Sequence, residues 1–207
     1  MTEDDARAWL RDHFDVSRET VEQLEAYAAL VRIEQAHQNL VSIATLPTFW
    51  SRHIVDSAQL ILLGRSGSWL DIGSGAGLPG IVTAILTRAP TTLVEPRARR
   101  AAFLRSVIDR LALDHVQLVA LPVEKLVTAP VANITARAVA PLLKLLEIAG
   151  HCADSATVWL LPKGKTAQSE LASLPRAWQT GWEMRVSVTD PASHILVGRH
   201  TRMNGKR

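Results

Sequence analysis

The sequence holds a single cysteine, Cys152, among 207 residues. One thiol forms no internal disulfide and no cysteine metal cluster. The histidines supply no substitute. His13, His37, His115 and His151 are scattered, without a His-x-x-x-His spacing, so no metal is expected. No uninterrupted apolar run is long enough to cross a bilayer, and Met1-Thr2-Glu3-Asp4-Asp5 lacks the basic-then-apolar order of a secretory signal. The expectation is a cytoplasmic protein with no membrane partner. Charge of one sign is also scarce: the formal net charge is +3, which permits a nucleic-acid partner without demanding one. Hydrophobic residues make up 47% and charged residues 21%, the balance of a globular chain whose length allows one core-forming domain with an appended subdomain.

Against these absences stands one dense stretch, Trp69-Leu70-Asp71-Ile72-Gly73-Ser74-Gly75-Ala76-Gly77-Leu78-Pro79-Gly80. An apolar run ends in an acid, four glycines follow, and apolar residues resume. This predicts a buried strand, a tight loop and a helix beginning near Pro79, where a missing N–H costs little. Glycines admit positive φ and close ligand approach, and N–H groups at the helix start attract a polar or anionic ligand. Two cofactor patterns overlap here. Gly75 to Gly80 fits the dinucleotide fingerprint G-x-G-x-x-G. Asp71 to Gly77 fits D-x-G-x-G-x-G, which resembles the first motif of S-adenosylmethionine methyltransferases. The second is favoured, because an acid at Asp71 suits an ammonium and a sulfonium better than a pyrophosphate. On this reading Asp71, Gly73, Gly75 and Gly77 are cofactor-binding.

Residues 1–64 read as a helical cap: Val21, Leu24, Ala28 and Val31 recur at helical spacing, as do Trp50, Ile54 and Ile61. Ser17 with Thr20-Val21-Glu22 marks a helix start. Gly64 to Ser68 reads as a joint, and residues 65–207 form the second unit. There strands and helices alternate. Strands are expected over 68–72, 91–95, 116–120, 133–137 and 157–161, with two more in 183–189 and 194–201. Helices fall at about 78–88, 97–111 and 141–149. The fold class is α/β: a doubly wound, Rossmann-like sheet of seven strands, the last antiparallel, behind an N-terminal helical cap. Ligands then sit at the carboxyl ends of the strands, near the switch in strand order.

Glu95 ends the second strand, where an acid accepts hydrogen bonds from the ribose hydroxyls of an adenosine cofactor. Val123-Glu124 lies beyond the third strand, where an adenine edge rests in this architecture. Arg137 ends the fourth strand, aimed at the meeting place of cofactor and substrate, and a charge there needs a partner. Arg97, Arg99, Arg100, Lys163 and Lys165 form a basic rim able to hold RNA phosphates, a solvated helix face being the plainer account of the arginines. His53, between Arg52 and Asp56, reads as a domain-joining hydrogen-bonding residue rather than a catalyst. Trp69 and Trp159 lie in strand patterns and read as core.

Taken in order, Arg52-His53-Ile54-Val55-Asp56-Ser57, then Leu70 to Ile81, then Arg137-Ala138 and Lys163-Gly164, the chain resembles the small-subunit (16S) ribosomal RNA guanine-N7 methyltransferase family, also called glucose-inhibited division protein B. The likeness runs from about Val21 to about Gly198. It implies a methyltransferase that uses S-adenosylmethionine to methylate N7 of one guanine in the decoding region, on 16S rRNA or on the assembling small subunit; a monomer is expected separately from the likeness. It also implies cofactor contacts at Gly73, Leu78, Val123, Glu124 and Arg137, with Arg137 the residue nearest the chemistry. Two positions depart from the pattern: Pro122 stands where relatives can carry a basic residue, and Glu95 where many have aspartate. The chain lacks the acidic/amide-Pro-Pro-aromatic motif of exocyclic amine methyltransferases after the fourth strand, and Cys152 lies outside a Pro-Cys motif, which disfavours covalent attack on a pyrimidine. The alternatives from other classes are a nicotinamide oxidoreductase, a non-catalytic cofactor- or RNA-binding module, and a small-molecule methyltransferase.

Overall fold

The computed structural model describes residues 1–199. The expected strand end at Thr201 lies outside the described residues. The chain runs α1 (Glu3–His13), α2 (Arg18–Glu34), a 3-10 turn (Ile43–Thr48), a π-helical stretch (Trp50–Val55) and α3 (Asp56–Leu63). Then come β1 (Trp69–Ile72), α4 (Gly80–Thr87), β2 (Thr91–Val94), α5 (Ala98–Arg110), β3 (Val116–Val119), β4 (Asn133–Ala136) and α6 (Leu142–Ala149). The chain closes with β5 (Val158–Lys163), α7 (Ala167–Ala172), the short α8 (Arg176–Gln179), β6 (Trp182–Val186) and β7 (His194–Gly198). No described helix is long and apolar enough to cross a membrane.

The seven strands form one sheet in the order β3-β2-β1-β4-β5-β7-β6. The first five pair in parallel, while β7 is antiparallel to both β5 and β6. Strand order reverses between β1 and β4, so a crevice opens above their carboxyl ends. Helices cover both faces, which is why β1 is buried at all four positions and reads as an apolar run broken only by Asp71.

The amphipathic α2 starts at Ser17, whose hydroxyl accepts from the Thr20 N–H. It turns Leu24, Tyr27, Ala28 and Val31 inward. They meet α4, whose sequence Gly-Ile-Val-Thr-Ala-Ile-Leu-Thr is apolar nearly all round because the sheet lies on one side and the cap on the other. Cap and sheet face therefore share a single core, which includes Leu93, Leu104 and Val107. The segment at Gly64 is pinned rather than free: Asn133 of β4 accepts from the Arg65 N–H (2.9 Å) and donates to the Arg65 carbonyl (2.8 Å).

The plain helical periodicity expected through Trp50 and Ile54 is not what forms. Residues Trp50–Val55 wind as a π-helix, burying Trp50, Ser51, His53, Ile54 and Val55 and leaving Arg52 outward. Apolar spacing cannot register the one extra residue per turn. The Glu3 carboxylate caps this stretch, accepting from the Trp50 and Ser51 N–H groups at 3.0 and 2.9 Å. Pro79 also differs slightly from expectation, standing just outside α4 at its N-cap position.

Tyr27 joins the cap to the glycine loop. Fully buried, its hydroxyl donates to the Ala76 carbonyl at 2.8 Å, and burial raises its pKa above the ordinary tyrosine value. Tyr27→Phe leaves that carbonyl without this donor inside the core. A loss of about 1–3 kcal/mol in unfolding free energy is expected by denaturant titration; an unchanged midpoint would show that the bond does not fasten cap to loop.

Candidate functional site

The glycine loop is held from beneath. Asp71 is 1% exposed, and both its oxygens are engaged: Oδ1 accepts from the Thr135 hydroxyl (2.9 Å) and Oδ2 from the Gly80 N–H (3.2 Å). Burial pushes its pKa up to about 6, against hydrogen bonds from Thr135 and Gly80 that favour the carboxylate. Asp71, expected at the cofactor, is thus placed beneath the loop with both oxygens engaged by the protein. At the α4 N-terminus, expected to offer N–H groups to a ligand, Asp71 takes Gly80 and the Gly77 carbonyl takes Ile81, while Gly77 N–H and Leu78 N–H just before it bond to the Ser74 carbonyl. At Gly80 an added Cβ would lie 2.3 Å from Leu93 and 2.6 Å from Asp71 Oδ2, so this glycine permits the approach of α4 to the sheet.

Above the loop a cavity of about 300 Å³ lies across the ends of β1, β2 and β3. Gly73, Glu95, Val123 and Glu124, four of the expected cofactor residues, line it together with Pro122 and Ile148. Glu95 is 2% exposed, accepting from the Gly75 N–H through Oε2 and from the Arg97 N–H through Oε1, both at 2.9 Å. Those two bonds fix the carboxylate plane and leave lone pairs for two further donors. A vicinal diol is such a pair of donors. Buried Val123 offers an apolar wall beside it. These features fit an adenosine moiety. Gly75 orients Glu95 rather than lining the cavity, whereas Gly77 and Leu78 belong to the packing under the cap: a Cβ on Gly77 would lie 2.6 Å from Ile81, and Leu78 is buried in the shared core.

A second cavity, about 590 Å³, adjoins the first, and the two share Ala138 and Val139 as walls. Ala138 has φ +57, an uncommon conformation for a residue with a Cβ. The turn lays Val139 over Gly73, where a Cβ would lie 2.7 Å from Val139 Cγ2. Arg137 lines the larger cavity and not the smaller, with Nη1 3.6 Å from Asp56 Oδ2 and 3.4 Å from His53 Nδ1. The Ala138-Val139 turn stands between the small cavity and the one that Arg137 lines. His53 also joins the cap to the sheet as expected, and its pKa is pushed down to about 3 by burial and by Arg137 and Arg52.

The basic rim is only partly free. Lys163 is committed: its ammonium lies 2.8 Å from Glu170 and 3.0 Å from the Ala140 carbonyl, and its side chain is 11% exposed. Glu170 in turn accepts from the Leu142 N–H. Lys163, expected on the RNA rim, clamps the turn that carries Ala138 and Val139. Arg99 and Arg100 donate to the carbonyls of His37 and Asn39, tying α5 to the cap. Arg97 and Lys165 are exposed. Tyr27, Thr135, Val139 and Glu170 were missed from sequence; each acts through a partner distant in the chain, which periodicity and local motifs do not reveal. Cys152 is buried, with its thiol pushed up to about 11 by that burial, so it is no nucleophile at neutral pH.

The model of the family described as rRNA small subunit methyltransferase G matches residues 20–195. Among curated relatives, the ribosomal RNA small subunit methyltransferase G of Sphingopyxis alaskensis is 47% identical over 196 residues, covering 93% of this chain and 84% of its own. Its counterpart in Zymomonas mobilis is 43% identical, covering 97% and 95%. Among solved structures, a predicted O-methyltransferase of Agrobacterium tumefaciens superposes with TM-score 0.57 at 19% identity, over 70% of this chain and 79% of its own. A precorrin-6y C5,15-methyltransferase of Geobacter metallireducens gives TM-score 0.55 at 15% identity, over 78% and 90%. At such identities these structures establish the fold.

The buried Asp71 makes stability depend on pH in a predictable direction. Its folded pKa is raised above the unfolded value, so its contribution is full below about pH 4 and is lost as pH rises through about 6. Asp71→Asn keeps an acceptor for Gly80 and cannot ionise. Between pH 4.5 and 7.5 its stability relative to the natural chain should rise by about 2 kcal/mol in paired denaturation curves, the titration of His53 being common to both. A difference independent of pH would contradict the raised pKa.

Proposed function

This chain belongs to the rRNA small subunit methyltransferase G family, and on that premise we propose that it transfers the methyl group of S-adenosylmethionine to N7 of a guanine in 16S rRNA. The observation that carries the cofactor reading is the pair of fixed Glu95 bonds beside the apolar wall of the small cavity. Glu95 holds the ribose, Val123 and Glu124 flank the adenine, and Gly73, lacking a side chain, lets Val139 close over it at the edge of the cavity. When bound, S-adenosylmethionine supplies an already activated methyl group on sulfur.

What the residues must add is placement. Guanine N7 carries a free lone pair, so no base has to remove a proton before attack. The larger cavity accords with this. His53 has both ring nitrogens occupied, by Arg137 and by the Thr45 hydroxyl, and Asp56 faces Arg137. Arg137 holds the target guanine or the cofactor's methionine end from the cavity wall, approaching guanine from the side of O6 or by stacking so that N7 stays open. Exposed Arg97 and Lys165 supply phosphate contacts on the rim. In this reading residues 1–64 form the cap and residues 65–207 the methyltransferase domain. The acting unit in this reading is one chain.

Incubating the protein with S-adenosylmethionine labelled in its methyl group, and with small-subunit RNA and particles from cells lacking the enzyme, should label one guanine at N7. Glu95→Ala should weaken S-adenosylmethionine binding by about tenfold or more in calorimetry, with Glu95→Gln intermediate. Cofactor binding without label on RNA or particles would move the function to a small molecule or to regulation. Glu95→Ala binding as tightly as the natural chain would remove the ribose assignment.

A further inference from the structure

The proposed function leaves His53 and Asp56 without a chemical step, although both are largely buried on the wall of the larger cavity and both face Arg137. Their hydrogen bonds have only one consistent direction. A guanidinium has donors and no acceptor, so at 3.4 Å it donates to His53 Nδ1, which must carry the lone pair. The ring proton is then on Nε2 and points to the Thr45 hydroxyl at 2.8 Å. That hydroxyl is free to donate onward, and it does so to the Ser42 carbonyl at 2.7 Å. The chain from Arg137 through His53 and Thr45 thus ends on the cap backbone with every donor matched.

Asp56 is anchored as firmly from the other direction. Its Oδ1 accepts from Gln59 Nε2 (3.0 Å) and from the Thr189 hydroxyl (2.9 Å), leaving Oδ2 toward Arg137. The π-helical winding of residues 50–55 sets the register in which His53 and Asp56 point to one guanidinium. Local π geometry recurs where side chains are re-aimed for function. An arginine free to rotate would have to be ordered when its ligand binds, whereas one already held loses less entropy. The pKa of His53, held near 3, keeps the imidazole neutral beside Arg52 and Arg137, so its accepting nitrogen persists across the physiological range.

We infer that His53 and Asp56 are positioning residues that hold the Arg137 guanidinium at the wall of the larger cavity, for the methyl transfer proposed above. The inference rests on that reading of Arg137, and its test separates the two. His53→Gln keeps an acceptor for Arg137 and a donor for Thr45, while His53→Leu fills similar space with neither. In steady-state methyl transfer His53→Leu and His53→Ala should lose about 10–100-fold in kcat/KM, with His53→Gln recovering most of it at matched thermal stability. In an Arg137→Ala background the same His53 substitutions should have little further effect. Equal activity of the Gln and Leu variants, or a full additional loss on top of Arg137→Ala, would overturn the inference and leave His53 as packing. A natural chain that transfers no methyl to RNA, or an Arg137→Ala enzyme with normal turnover and cofactor affinity, would instead overturn the function on which the inference stands.

Discussion

A buried carboxylate under the glycine loop is the interaction on which the rest of the structure depends. Asp71 binds Thr135 on the neighbouring strand β4 and the N–H of Gly80 at the start of α4. It thereby ties together the two strands that flank the switch in strand order and the helix that follows. Removing a carboxylate from water is costly, and here hydrogen bonds from Thr135 and Gly80 offset part of that cost. Once the loop is fixed in this way, Gly75 presents its N–H to Glu95, and Glu95 faces the small cavity in a set orientation. Tyr27 fastens the same loop from the cap side, so cap, loop and sheet are one packed unit at this point.

The turn after β4 is the second organising element. It carries Arg137 on one side of the crevice and lays Val139 over Gly73. Lys163 and Glu170 grip it at Ala140 and Leu142, on either side of Pro141. Two chemically different compartments result. The smaller, with its fixed carboxylate and apolar wall, suits a nucleoside. The larger is bordered by Arg52, Arg137 and Lys163, together with Asp56, Glu170 and Asp190, and suits a polar, planar group. Methylation at a nitrogen that bears a lone pair asks for such neighbouring compartments more than for acid–base groups.

Much of this was legible in the sequence because parallel strands covered on both faces must be apolar and must be bounded by turns. The alternation of β1 through β5 with α4, α5 and α6, the position of Glu95, and the place of Val123-Glu124 beyond β3 all follow from that rule. The setting of Asp71 was not legible for a physical reason: an acid at a strand end looks the same in sequence whether it points up to a ligand or sideways beneath the loop. Only the distant Thr135 decides between the two. Lys163 was read with Lys165 as rim, yet its partner Glu170 lies on α7, and nothing local to Lys163-Gly164-Lys165 signals the pairing. Similarly, nothing local to Arg99 and Arg100 signals that each also donates to the cap turn, at His37 and Asn39.

The measurement that bears most directly on this arrangement is a crystal structure of the protein with S-adenosylmethionine. The adenosine should lie between Glu95 and Val123, its ribose hydroxyls on Glu95, and the methionine end should pass Gly73 toward Arg137. Asp71 should keep its bonds to Thr135 and Gly80. A ligand bound outside the small cavity, or an Asp71 turned to meet it, would contradict the division of labour between the carboxylate that supports the loop and the carboxylate that binds.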